Sequence, residues 1–430
     1  MKNNKNMMYI GGVPCDKLAE TCGTPLYIYD ENAIEERIKN YTTYFKSDLF
    51  DTEIIYASKA FAAKAMFQIV NKYGASLDVV SGGELYLAKE SSVPMDRIYF
   101  HGNNKTEEEL DIAFKYGCKT IVLDNLMECA KLIEKAEEYQ KEIHVIIRIN
   151  PGVNAHTHKY IVTGDPDSKF GVLIEDYEKI VNMIKVISAS KYVIFDGFHS
   201  HIGSQIFDME AFHVTVERMI KLIKRLKDED DIIVRFLNLG GGFGVHYTDN
   251  DDPLTIKEIS NLLIKKCETE IKKHEIKLDK IMIEPGRSMV AEAGYTLYTI
   301  GFNKKTPNKE YIFIDGGMSD NIRVALYQAK YDCDIANKMD EDKTTCYSVA
   351  GKCCESGDIL IENAMLPKAE EDDLLVVYST GAYGYSMANN YNKLRRPAVV
   401  FAKDGKARIV IKREDYQDMT RYETDEEVNI

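Results

Sequence analysis

VIFDGFHSHIGSQ, residues 193–205, passes from a short apolar run into a cluster of histidine, serine and glycine, and seven other segments of the chain are built the same way. They are EIIYASK (53–59), ASLDVVSGGE (75–84), RIYFHGNN (97–104), KTIVLDN (119–125), IHVIIRINPG (143–152), FLNLGGGFG (236–244) and KIMIEPGR (280–287). Between them lie amphipathic stretches such as KAMFQIVNKYG, KTEEELDIAFKYG and EDYEKIVNMIKVI, whose apolar residues recur at helical spacing. Eight alternating strand and helix units predict an α/β fold of the (β/α)8, TIM-type barrel class. A doubly wound open sheet is the alternative, because strand order cannot be read from one sequence.

The polar residues favour the barrel. Lys59, Asp78, His101, Asn125, Asn150, His201, the glycines at 240–242 and Glu284 all follow the apolar run of their unit. In a barrel such positions face one mouth, where active sites of this fold lie. Beyond about residue 290 the texture changes to YTLYTIGF, EYIFIDGG, TTCYSVAG, DLLVVYST, PAVVFAKDG and ARIVIKRE, short runs rich in Val, Ile and Tyr that predict an antiparallel β domain. The expected boundaries are a barrel over 31–288 and a β domain over 289–430, joined by an N-terminal strand within 1–30.

The chain has 430 residues and a net charge of −14, a field that repels nucleic acid and acidic membrane surfaces. No segment has the run of roughly 18 apolar residues that a membrane span needs, and MKNNKNMMYIGGVP lacks the apolar core of a secretory signal. A cytoplasmic protein is the expectation. Nine cysteines, odd in number and without CxxC spacing, argue against a disulfide framework or a structural zinc site. HTHKY, at 156–160, has no further ligand at zinc spacing, so no metal is expected.

Several residues offer chemistry. Lys59, after the first run, is a surface lysine or an amine placed for Schiff-base chemistry. LNLGGGFG is a flexible turn or a backbone cradle for phosphate, though not with dinucleotide-fold spacing. Glu284 is a poor phosphate neighbour but a good partner for a cationic ring nitrogen, and Arg287 is a planar fork for a carboxylate or phosphate. His201 is a satisfied core histidine or a ring facing a ligand, with Ser204 beside it. An amine, a phosphate cradle, a carboxylate for a ring nitrogen and an imidazole together describe a pyridoxal phosphate site.

With YASKA, SGGEL, NPGVNAHTHKYIVTG, SKFGV, HSHIGSQ, NLGGGFG, EPGR, IDGGMSDNIRVALY, CCESGD and GAYGYSM in order from 56 to 387, the chain resembles the fold type III pyridoxal phosphate-dependent decarboxylases, most closely those acting on diaminopimelate. The resemblance implies a barrel that holds pyridoxal 5'-phosphate, a C-terminal β domain, and a homodimer whose active sites each borrow residues from the partner chain. It implies that Lys59 is the Schiff-base lysine and that His201 stacks on the cofactor ring. Ser204, Gly241, Gly242 and the loop 284–287, with Gly286 and Arg287, would lie near the phosphate, and Glu284 would meet the ring nitrogen. Arg287, Arg323 and Tyr327 would bind substrate, and Tyr383 substrate and cofactor. Cys354 and Glu355 would enter the partner's site, Cys354 as proton donor; Cys353 has no matching role.

The reaction so implied is decarboxylation of meso-2,6-diaminopimelate to L-lysine and CO2, the last step of lysine biosynthesis. Two arginines and a glutamate suit its distal carboxylate and ammonium better than the purely cationic far ends of ornithine or lysine. The alternatives are a decarboxylase of another basic amino acid (ornithine, arginine or carboxynorspermidine), a racemase on the same barrel, or a non-catalytic regulatory homologue. Asn321, Val324, Lys352 and Cys353 depart from the commoner family pattern, beside the functional positions.

Overall fold

Eight parallel strands close on themselves in the computed structural model, which describes residues 6–153 and 168–428. HTHKY and most of the 156–171 stretch lie outside the described residues. The strands are β1 (Asp51–Ala57), β2 (Ser76–Val79), β3 (Ile98–Phe100), β4 (Thr120–Leu123), β5 (Ile143–Asn150), β6 (Val193–Ser200), β7 (Phe236–Asn238) and β8 (Lys280–Ile283). Each pairs with the next, and β8 returns to β1 with Lys280 opposite Asp51. These are the eight runs of the sequence, and the open sheet is excluded by that last pairing.

The strands are apolar because they are covered on both faces. Ile55, Tyr99, Val122, Ile146 and Met282 form a buried cluster against Phe236. Near the starts of the strands Glu53 accepts hydrogen bonds from Tyr99 at 3.0 Å and Lys280 at 2.6 Å, so a carboxylate is neutralised well away from the strands' C-terminal ends. The helices that wrap the barrel start where their sequences dictate. Thr106 and Thr255 each form a capping box with the glutamate three residues on, and Ser81 and Asn125 accept from the N–H of Glu84 and Glu128.

Contacts divide the chain into two compact units, one of Glu35–Val245 and Asp252–Met289, the other of Met1–Ile34, His246–Asp251 and Val290–Ile430. In the second unit the strand Gly294–Lys305 is the hub, pairing antiparallel with Leu26–Asp30, Glu310–Ile314 and Leu374–Val377. Leu26–Asp30 also pairs in parallel with Ala398–Lys403, and Glu310–Ile314 in parallel with Thr345–Ala350; the remaining pairings in this unit are antiparallel. A core of Leu26, Ile28, Leu297, Val376 and Val400 holds it together. Among the described residues no helix is long and apolar enough to cross a membrane.

Candidate active site

The C-terminal ends of the barrel strands gather one polar network around a carboxylate. Glu284 follows β8 and is 7% exposed. Its Oε1 accepts from His101 Nε2 at 2.8 Å and Asn238 Nδ2 at 2.7 Å, and its Oε2 accepts from His199 Nε2 at 3.0 Å. The Asn238 amide is fixed in that sense because its Oδ1 accepts the Gly240 N–H at 2.9 Å. Burial works against ionisation of Glu284, but the electrostatics and hydrogen bonds of His101 and His199 prevail and hold the carboxyl well below the usual range. Burial also pushes His199 down to about 4, so its ring is neutral with the proton on Nε2. Its buried Nδ1 has no hydrogen-bond partner among the described residues. His101, His199 and Glu284 are a donor set that a metal could use. Both ring nitrogens nonetheless aim at the carboxylate oxygens at hydrogen-bond distance, and the third contact is an amide N–H, which has no lone pair for a cation.

A second carboxyl, Asp78, lies within β2, one residue before its end, and accepts the Ser58 N–H at 3.0 Å. Burial and the nearby Glu284 charge push it up to about 7. Lys59 stands exposed in the 3-10 turn Ser58–Ala60 that follows β1. The EPGR loop packs on the same strand end: the Ala57 N–H donates to the Pro285 carbonyl at 3.3 Å, and a Cβ on Gly286 would lie 2.7 Å from Ala57 Cβ.

His201 Nδ1 accepts the Gly241 N–H at 3.3 Å, and burial, with the Lys59 and Arg148 cations, holds the ring well below its ordinary value and neutral. Ser204 Oγ accepts from Arg287 Nε at 3.2 Å and Nη2 at 2.9 Å. The triple glycine has a structural cause beyond any ligand. A Cβ on Gly240, Gly241 or Gly242 would overlap the carbonyl oxygen of Ser200, Glu284 or Gly203 respectively, so the ends of β6, β7 and β8 close up only without side chains there.

Lys59, His201, Ser204, Gly241, Gly242, Glu284, Gly286 and Arg287 thus all belong to the barrel unit, at or just after strand ends. Arg323, Tyr327, Cys354, Glu355 and Tyr383 belong to the second unit. There Arg323, 6% exposed, donates to the hydroxyls of Tyr331 and, at 3.3 Å, Tyr247, with the Tyr383 ring 5.9 Å away. Tyr383 has a left-handed backbone, φ 62°, rarely adopted by a bulky residue. Tyr327 ends the short helix Arg323–Tyr327. Cys353 is buried and Cys354 exposed.

Sequence reasoning missed Arg148, His199 and Asn238. Arg148 lies over the Phe170 ring at 4.4 Å; burial lowers its pKa, against the charges of Asp124, Glu284 and Asp78. The signal was the two-residue period of strands: His199 shares a face with His201, and Arg148 with Asn150.

The barrel residues fit pyridoxal phosphate. A carboxylate kept ionised by three donors suits a protonated ring nitrogen, the neutral His201 imidazole suits stacking on a ring, Lys59 offers an amine, and Ser204 with Arg287 offers donors to a phosphate. The barrel and its network define the chain as a pyridoxal-dependent decarboxylase: the pyridoxal-binding domain of that class matches residues 31–291. Over 421 residues, 98% of this chain and 96% of the relative, it is 47% identical to the diaminopimelate decarboxylase of Bacillus subtilis (strain 168). That of Staphylococcus aureus (strain COL) is 43% identical over 97% of both chains. The solved diaminopimelate decarboxylase from M. jannaschii, in complex with L-lysine, superposes with a TM-score of 0.91 at 35% identity, covering 98% of this chain and 96% of that one. The chain belongs to the diaminopimelate decarboxylase family, and its cofactor is pyridoxal 5'-phosphate.

Proposed function

We propose that this chain decarboxylates meso-2,6-diaminopimelate to L-lysine and CO2, the last step of lysine biosynthesis, in the cytoplasm. The observation that carries the substrate is Arg323: a buried guanidinium with tyrosine hydroxyls around it and no carboxylate partner among the described residues. Such a cation calls for an anionic group on the ligand. Ornithine, lysine and arginine have none at their far ends.

Lys59 holds the cofactor through its amine, His201 covers its ring, and Ser204, Gly241, Gly242, Gly286 and Arg287 surround its phosphate. When bound, pyridoxal phosphate supplies an electron sink for the pair left on the α-carbon as CO2 departs. Glu284, anionic, keeps a proton on the ring nitrogen. Arg287 and Arg323 grip the distal carboxylate, with Tyr327 and Tyr383 beside the substrate, and Glu355 takes the distal ammonium. Cys354 returns a proton to the α-carbon, so the amino group is retained. Cys354 and Glu355 come from the partner subunit of a homodimer.

Release of CO2 from a panel of amino acids tests the reading. Meso-2,6-diaminopimelate should be turned over and ornithine and arginine left untouched; comparable rates on ornithine would refute it. The shared site is tested by hybrid dimers of Lys59→Ala with Cys354→Ala, each inactive alone, which should regain part of the activity; hybrids that stay inactive would refute it.

A further inference from the structure

The turn that carries the two cysteines, KCCESGD at 352–358, is built over a buried carboxylate. Asp358, 2% exposed, turns its side chain back beneath it. Its Oδ2 accepts the Cys353 N–H at 2.8 Å and its Oδ1 the Met318 N–H at 2.6 Å. The main chain closes the same turn: the Glu355 N–H donates to the Cys353 carbonyl at 2.8 Å, the Asp358 N–H to the Glu355 carbonyl at 3.1 Å, and the Gly351 N–H to the Asp358 carbonyl at 2.9 Å. The next donor along, the Cys354 N–H, goes to Asn392 Oδ1 at 2.8 Å. Successive N–H groups of Cys353 and Cys354 are therefore each held by a side-chain oxygen, one from Asp358 at the end of the same turn and one from Asn392 farther along the chain. A Cβ on either Gly317 or Gly351 would overlap the Asp358 carboxylate, so those two positions are shaped around it.

Asp358 has no cationic partner among the described residues. Burial raises its pKa, and its oxygens are met by the N–H groups of Cys353 and Met318 and by the Cys353 thiol; a neutral side chain filling the same space would avoid the cost of burying a carboxyl. What a carboxylate alone provides is an acceptor on each of two oxygens, tying the cysteine turn to the 316–320 loop. Cysteine has a single heavy-atom side-chain torsion, so a fixed backbone leaves Sγ only three staggered positions. Reactivity at a transferred proton is sensitive to displacements of about 1 Å, which can cost about 10²-fold in rate.

We propose that Asp358, supported by Asn392, is a positioning residue for the reaction: it fixes the turn so that the Cys354 thiol and the Glu355 carboxylate are presented in one geometry. The inference rests on the reading of Cys354 as proton donor. Asp358→Asn keeps the volume but turns one acceptor into an N–H that faces a backbone N–H, so the turn is released without a cavity.

Alone, Asp358→Asn should lower kcat by about 10²-fold. Its decisive behaviour is in isolated hybrid dimers. A hybrid of Asp358→Asn with Lys59→Ala should regain activity, because one of its sites combines an intact Lys59 with an intact cysteine turn; a hybrid with Cys354→Ala should stay inactive. A subunit that had merely misfolded would rescue neither. Wild-type kcat for Asp358→Asn, or no rescue by Lys59→Ala while the Lys59→Ala and Cys354→Ala control hybrid recovers, overturns the inference. Failure of that control strikes the shared-site reading instead. Alkylation then decides for Asp358: in the apoenzyme Asp358→Asn should change the iodoacetamide rate of Cys354 severalfold and leave that of exposed Cys346 unaltered, and unchanged Cys354 rates overturn the proposal.

Discussion

Glu284→Gln removes one charge from the centre of the site and almost no volume, so its effect can be worked from the contacts. The amide oxygen can occupy the Oε1 position, where His101 and Asn238 both donate. The NH2 group then faces His199 Nε2, which is itself a donor. Two N–H groups cannot share that line, and His199 must move its proton to Nδ1, the atom with no hydrogen-bond partner among the described residues. Hydrogen bonds to a charged group contribute about 1.5–3 kcal/mol and neutral ones about 0.5–1.5, while a buried unsatisfied donor costs about 1–3 kcal/mol. Relief of the buried charge offsets part of this, leaving a net loss of about 2–4 kcal/mol. For a unit of this size that lowers the melting temperature by roughly 5–15 °C. With the ring nitrogen no longer facing an anion, kcat should fall on the order of 10²–10³-fold, the scale of losing one preorganised electrostatic contact. Thermal melts and CO2 release at pH 7 measure both. A variant within about 2 °C and about threefold of wild type would refute the assigned role of the network.

Asp78→Asn tests the raised carboxyl beside it. The Asp78 pKa is raised in the folded state to about 7, so its stabilising contribution is present below the unfolded value and lost as pH rises towards 7. The variant should melt with a shallower decline between about pH 4 and 7 than wild type, and equal slopes would refute the assignment. Gly241→Ala drives a methyl into the Glu284 carbonyl and should lower the melting temperature and weaken pyridoxal phosphate binding; a normal visible cofactor band and melting point would contradict the close packing. Arg323→Met keeps the bulk and removes the cation, and should raise KM for diaminopimelate by about 10–100-fold, since a charged hydrogen bond contributes about 1.5–3 kcal/mol. An unchanged KM would remove Arg323 from the substrate site.

The barrel was legible because its strands repeat one pattern eight times and end on polar residues, and that pattern is a direct consequence of strands covered on both faces. The network around Glu284 was legible only in part. His101 announces itself as a polar break after an apolar run and Asp78 as a charge inside one, whereas Asn238 and His199 lie within strands and are marked only by their face. The tyrosines around Arg323 left less trace. Tyr247 lies between β7 and β8 in the chain, yet its six-residue segment, His246–Asp251, packs in the second unit, and no composition shift marks that excursion. Asp358 leaves no mark of its role in CCESGD, because a side chain that folds back on its own turn reveals itself through N–H partners and not through residue type.

The two carboxyls of the barrel mouth explain why Glu284 can stay ionised at all. Both are buried, and two like charges so placed resist joint ionisation. The structure separates them: Glu284 has three donors on its oxygens, whereas Asp78 has, among the described residues, the single Ser58 N–H and rises to about 7. Near neutral pH one firm anion therefore faces the Lys59 and Arg148 cations, and His199 and His201 add no charge because both are held neutral. Moving the negative charge from Glu284 to Asp78 would keep the total and lose the aim, because only Glu284 is held in place by two imidazoles and an amide.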